Sequence, residues 1–181
     1  MRGSKKVNVI EISGAAPVVS GQIRVALHPN KSVLSADGKT LHVANGDAGT
    51  VSEVNLEAHT VDRTLSVAPH KNAPVGSNAT NLALDSEGKR LFVTNSGNND
   101  VAVIDLKQGK TDGLIPTAWY PTSVTWNNGR LHITNGKGLG AGPNNGPRHP
   151  NPESPARVSP DQYSGSVIQG ALSSVITPWG P

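Results

Sequence analysis

Apolar and polar residues alternate along this chain in short stretches, and turn residues cut each stretch before it grows long. Three segments repeat the pattern in one order, at 32–45, 82–95 and 124–135. Each reads as strand, tight turn, strand, because a period of two sets one face of an extended chain against a core. Asp37-Gly38, Glu87-Gly88 and Asn128-Gly129 supply residues that accept the positive φ of a hairpin turn, and the third segment is shorter at that turn. A leucine follows each turn (Leu41, Leu91, Leu131), and their spacings of 50 and 40 residues fit a repeated β unit.

More alternating stretches follow. A third strand is predicted at 50–56 and 100–106, and a fourth at 63–67 and 113–116. After the third segment the equivalent third strand is delayed to about 171–176. Four antiparallel strands per unit make the blade of a propeller. The predicted fold class is therefore all-β, a β-propeller of four-stranded blades with about three blades in the chain. The blades run over 31–70, 78–117 and 121–177, and an insertion at 136–163, rich in Gly, Pro and Asn, interrupts the last. A β-sandwich with similar hairpins is the alternative. Turn, leucine and terminal asparagine recurring together at three places weigh against it.

Leu91-Phe92-Val93-Thr94-Asn95, Leu41-His42-Val43-Ala44-Asn45 and Leu131-His132-Ile133-Thr134-Asn135 resemble the Tyr-Val-Thr-Asn signature of the YVTN/YncE-like propeller repeat. The stretches 113–122 and 135–144 are similar to bacterial two-part proteins that join a YncE-like propeller to an alkaline-phosphatase-like phosphoesterase domain. The resemblance covers nearly the whole chain and implies a propeller. The metal-binding Asp/His motifs of the phosphoesterase half have no counterpart here, so that activity does not carry over.

Propellers close with about four to eight blades, and three incomplete blades do not close. Spare strands stand at the N-terminus instead, at 6–12 and about 22–26, like the third and fourth strands of a blade whose first half is missing. Alone, such an arc exposes strand edges and the apolar flanks of its end blades. Symmetry supplies a remedy, because two copies about a two-fold axis give about six blades, the N-terminal strands (within 6–30) completing the other copy's third blade. A homodimer is the expectation, with a poorly folding fragment as the competing reading.

Composition narrows the partners. Aromatics are 3% and Phe occurs once, whereas Gly (20) and Pro (14) are abundant, which suits short strands packed through small apolar side chains. The net charge of +3 is mild, and the Lys and Arg residues are scattered without interleaved aromatics, which speaks against a nucleic-acid platform. No run of 18 apolar residues exists, so no membrane-spanning helix is expected. With no cysteine, disulfides and thiolate metal sites are excluded and the compartment is not indicated. No signal peptide is visible, and Met1-Arg2-Gly3-Ser4 resembles an expression-vector scar, so the natural N-terminus is expected to be missing.

Residues just before and at the start of a blade's first strand face the central channel. The alignment places His28, Asn78 and Tyr120 at one level and Lys31, Asn81 and Ser123 three residues on. Doubled by symmetry, they form a polar funnel for a small-molecule ligand, or they merely cap strand ends. His42 and His132 share a repeat position with Phe92 and read as packing between blades, and His59 sits in a solvated turn. His28, His70 and His149 fall in loops, and imidazoles from two chains could hold a divalent metal such as zinc or calcium. A metal-bound water there would be a hydrolytic nucleophile, although no His-x-His or His-Glu-x-x-His spacing supports the site.

Other motifs carry less. The glycines of 136–142 follow a strand, but the prolines and asparagines after them start no helix, so they build no phosphate loop. No Gly-x-Ser-x-Gly elbow occurs, and the sequons at Asn30 and Asn78 mean little without a secretory route. Two functions remain: a ligand-binding propeller dimer, or a metal- or histidine-assisted hydrolase of phosphoesters, phosphotriesters or esters at the channel mouth.

Overall fold

The computed structural model of the chain describes residues 5–138 and 170–178, and every regular element among them is a β-strand. Thirteen strands form four antiparallel sheets. The first sheet pairs β1 (Lys6–Glu11) with β2 (Val18–Arg24). The second runs β3 (Pro29–Leu34), β4 (Thr40–Asn45), β5 (Thr50–Asn55) and β6 (Thr60–Ser66). The third repeats it with β7 (Ala79–Leu84), β8 (Arg90–Asn95), β9 (Asp100–Asp105) and β10 (Lys110–Pro116). The last contains β11 (Pro121–Asn127), β12 (Arg130–Asn135) and β13 (Ala171–Ile176).

Turn chemistry explains the meander. Gly38 and Gly88 hold φ of 72° and 64° in the turns after β3 and β7. In the third copy Asn128 and Gly129 are both positive, at 47° and 74°, so two residues suffice to join β11 to β12. That double αL turn explains why the third segment is shorter. Several strands begin earlier than expected, among them β2 at Val18 and not near residue 22, β6 at Thr60 and not 63, and β10 at Lys110 and not 113. These three carry polar or exposed residues at their starts, which hid them from a reading based on apolar alternation. Of the predicted insertion at 136–163, residues 139–163 lie outside the described residues.

The sheets stack face against face. Ile23 and Val25 meet Val43 and Val54 in the first seam. Ala44, Val51 and Leu65 meet Leu91, Val93 and Ile104 in the second, and Phe92, Val101 and Val103 meet Val124, Leu131 and Ile133 in the third. With seams on both sides, β4, β5, β8 and β9 are buried on both faces, and side chains of Val, Leu, Ile and Ala size fill the gaps. Strands β3, β7 and β11 approach one another most closely among neighbouring sheets, so the first strands form the inner side of the arc. Among the described residues no helix is long and apolar enough to cross a membrane.

The terminal faces differ from the seams. In register, Leu172 opposes Thr134 as Val51 opposes Ala44 and Val101 opposes Thr94. Val51 and Val101 are fully buried by the next sheet, whereas Leu172 is 71% exposed and Ile176, on the same face, 70%. At the other end Ile10, Val18 and Val19 are exposed around the β1–β2 hairpin, while Lys6, Asn8 and Gln22 hydrogen-bond to one another as a solvated row.

Candidate functional site

The inner ends of the first strands share one backbone device. His28, Asn78 and Tyr120, each directly before a first strand, all take the left-handed conformation, with φ of 57°, 50° and 58°. Asparagine and histidine are enriched there, so the fold imposes the geometry chiefly on Tyr120, at a cost of about 1 kcal/mol. The reason is a shared hydrogen bond. The amides of Gly46, Ser96 and Gly136 donate to the carbonyls of His28, Asn78 and Tyr120 at 2.8, 3.1 and 2.9 Å. These donors directly follow Asn45, Asn95 and Asn135, the buried asparagines that end each second strand.

The side chains at this level are polar and partly linked. His28 Nδ1 lies 3.1 Å from Asp47 Oδ1, and both groups are exposed. Asn78 Nδ2 donates to Tyr120 Oη at 3.4 Å, the Tyr120 amide donates to Asn99 Oδ1 at 2.8 Å, and Lys137 Nζ lies 4.5 Å from the Tyr120 ring centroid. A cation over the phenol face and a wet rim of amides and imidazole can hold a polar or anionic group.

Two residues on, side chains stitch adjacent sheets together, a role the sequence reading did not assign to them. Asn30 Nδ2 donates to the Ala79 carbonyl across the seam at 3.1 Å. Gly46 makes room, since a Cβ there would stand 2.6 Å from Asn30 Nδ2 and 3.2 Å from Asn78 Oδ1. In the next seam Thr80 Oγ1 and Ser96 Oγ both donate to the Pro121 carbonyl, the equivalent acceptor. Asn30 beside Gly46 and Thr80 beside Ser96 are therefore two solutions to one problem. No shared residue type reveals them, only the shared position.

Of the next predicted level, Asn81 and Ser123 line a cleft of about 440 Å³ between the first strands, and exposed Lys31 stands outside its lining. A bulge in each first strand (between Pro29 and Ser32, Ala79 and Asn81, Pro121 and Ser123) breaks the alternation here, so equal spacing does not give equal direction. His70 lines a separate recess between β6 and β10, with Lys71 and Lys110. It shares no recess with His28, because the loop from β6 to β7 runs along the outer strands first. His149 lies outside the described residues. Among the described residues no three His, Asp or Glu side chains converge as metal ligands.

A buried charge cluster fills the second seam. His42, Glu53 and Arg63 are register neighbours across β4, β5 and β6, on the face that meets the third sheet. Arg63 binds Glu53 through Nε and through Nη2 (3.0 Å), and Nη2 also donates to the Leu106 carbonyl of the next sheet at 2.7 Å. His42 Nδ1 stands 3.7 Å from Glu53 Oε1, too far for a hydrogen bond. Burial holds the His42 imidazole below its ordinary value, with Glu53 opposing and Arg63 assisting. His42 thus packs in a seam, where Phe92 packs in the next.

No family model matches the chain, and no curated protein matches it. Solved structures do. Hydrazine synthase of Kuenenia stuttgartiensis superposes with a TM-score of 0.58 at 23% identity, over 66% of this chain and 33% of its own. The β-propeller domain of Myceliophteria thermophila Cps50 (Swd1) gives 0.51 at 23% identity, over 62% and 34%. U3-55K gives 0.50 at 14%, over 57% and 32%. The chain spans about a third of the length of the solved structures it resembles. With four stacked antiparallel sheets and these neighbours, the chain has a propeller-type all-β fold.

Proposed function

We propose that two copies of this chain close one ring of about six blades, and that the polar inner rim of that ring binds a small molecule. The observation that carries the reading is the open face of the last sheet. Leu172 is 71% exposed where the equivalent Val51 and Val101 are sealed by a following sheet, and Ile176 on the same face is 70% exposed. A large apolar pair on a sheet face otherwise solvated is a contact surface. The apolar end of the first sheet, with Ile10, Val18 and Val19, is the occupant this chain itself offers. A two-fold axis makes both junctions at once. Each junction then sets β11–β13 of one copy against the partner's β1–β2.

Closure sets two copies of the His28, Asn78 and Tyr120 level around one axis. The YVTN/YncE-like kinship belongs to the same reading, supported by Asn45, Asn95 and Asn135 at equal buried positions. The hydrolase alternative draws on His28 beside Asp47 and gains no third ligand among the described residues. The test is the double variant Leu172→Lys/Ile176→Lys, followed by light scattering and circular dichroism. A two-chain mass that falls to one chain with the strand spectrum retained supports the reading. A mass unchanged by the two lysines overturns it.

A further inference from the structure

We infer that the cleft between the first strands is a site for a small organic cation, an ammonium group carried on an apolar body. Its volume of about 440 Å³ lies within the range of small-ligand pockets. Leu34, Leu84 and Trp126, at equivalent positions of β3, β7 and β11, give it an apolar wall. Among the described residues that line it, Asp85 is the single ionisable one. A carboxylate and an indole in one lining, with Lys89 near Asp85 but no Lys or Arg in the lining itself, select for positive charge. The carboxylate supplies Coulomb attraction and the indole face supplies quadrupole attraction to a weakly hydrated cation.

Asp85 is held for this. Its Oδ1 accepts the Lys89 amide at 2.8 Å within the turn after β7, which fixes the side chain. Asn81, Ser123 and Thr125 complete the lining with neutral polar groups. Leu34, 48% exposed, shows that the wall is not sealed by the chain itself. The cleft is built from one chain, and it rests on the ring reading only for what covers its open side.

The experiment titrates purified protein with benzyltrimethylammonium by calorimetry, with 3,3-dimethylbutan-1-ol as a neutral probe and benzoate as an anion. The cation should bind at least about tenfold more tightly than either. Asp85→Asn, which keeps the turn acceptor, and Trp126→Leu should each weaken it about fivefold or more, with the strand spectrum unchanged. Equal affinity for the three probes, or wild-type affinity in both variants, overturns the site. Light scattering on the same samples separates this from the ring: a monomer that binds the cation keeps the cleft and refutes closure, and a dimer that does not keeps closure and refutes the cleft.

Discussion

Replacing Arg63 by Met tests the seam between the second and third sheets. The methionine keeps the apolar stem and removes the guanidinium, leaving the Glu53 carboxylate, 7% exposed, with only His42 nearby. Removing one partner of a buried ion pair costs about 3–5 kcal/mol. Arg63 is 44% exposed, so solvent already screens it, and about 2 kcal/mol is the expectation for the pair. The lost bond to the Leu106 carbonyl adds about 1 kcal/mol. A total near 2–3 kcal/mol lowers the melting temperature by about 5–10 °C for a chain of this size.

The pH dependence fixes the cause. In the wild type the His42 value is depressed, so the unfolded chain binds the proton first and stability falls as pH drops below the ordinary imidazole value of 6.5. In the variant a group that depresses His42 is gone and Glu53, which raises it, remains. Burial, the largest cause, still depresses His42, so the variant's value is less depressed and the variant loses less stability on acidification. The gap between wild type and variant is therefore largest near pH 8 and narrows toward pH 5.5. Urea titrations followed by tryptophan fluorescence at both values measure it. A loss under about 0.5 kcal/mol at pH 8, within the range of ordinary surface changes, refutes the account, as does a gap that widens on acidification.

Two further predictions concern neighbouring positions. His42→Phe, the residue found at the equivalent Phe92, should flatten the loss of wild-type stability below pH 6.5, read from the same titrations; an unchanged slope would assign that loss elsewhere. Asn30→Ala should cost about 1 kcal/mol by leaving the Ala79 carbonyl without its cross-seam donor, with hydrogen exchange rising at the first strands of both sheets.

The hairpins were legible because turn chemistry is local. Gly38, Gly88 and Asn128-Gly129 announce positive φ by residue type, and Leu41, Leu91 and Leu131 mark the strands that follow. The shared left-handed level of His28, Asn78 and Tyr120 was reached only by counting from those leucines, since the three side chains are so different. The stitching by Asn30 and by Thr80 with Ser96 was not legible at all, because each seam meets one backbone acceptor with different side chains. Nor did sequence distance to β7 reveal that the loop carrying His70 lines a recess with β10. Asp85 drew no notice because a carboxylate in a turn reads as a turn residue, and only the stacking of three sheets sets it beside Trp126.

Ring closure by a second copy is tested most directly by the mass of the purified chain in solution, measured by light scattering from about one to one hundred micromolar. Obligate partners hold together across such a range, so the account predicts twice the 18.7 kDa of one chain throughout. A mass of one chain across that range, with the strand spectrum intact, would contradict it.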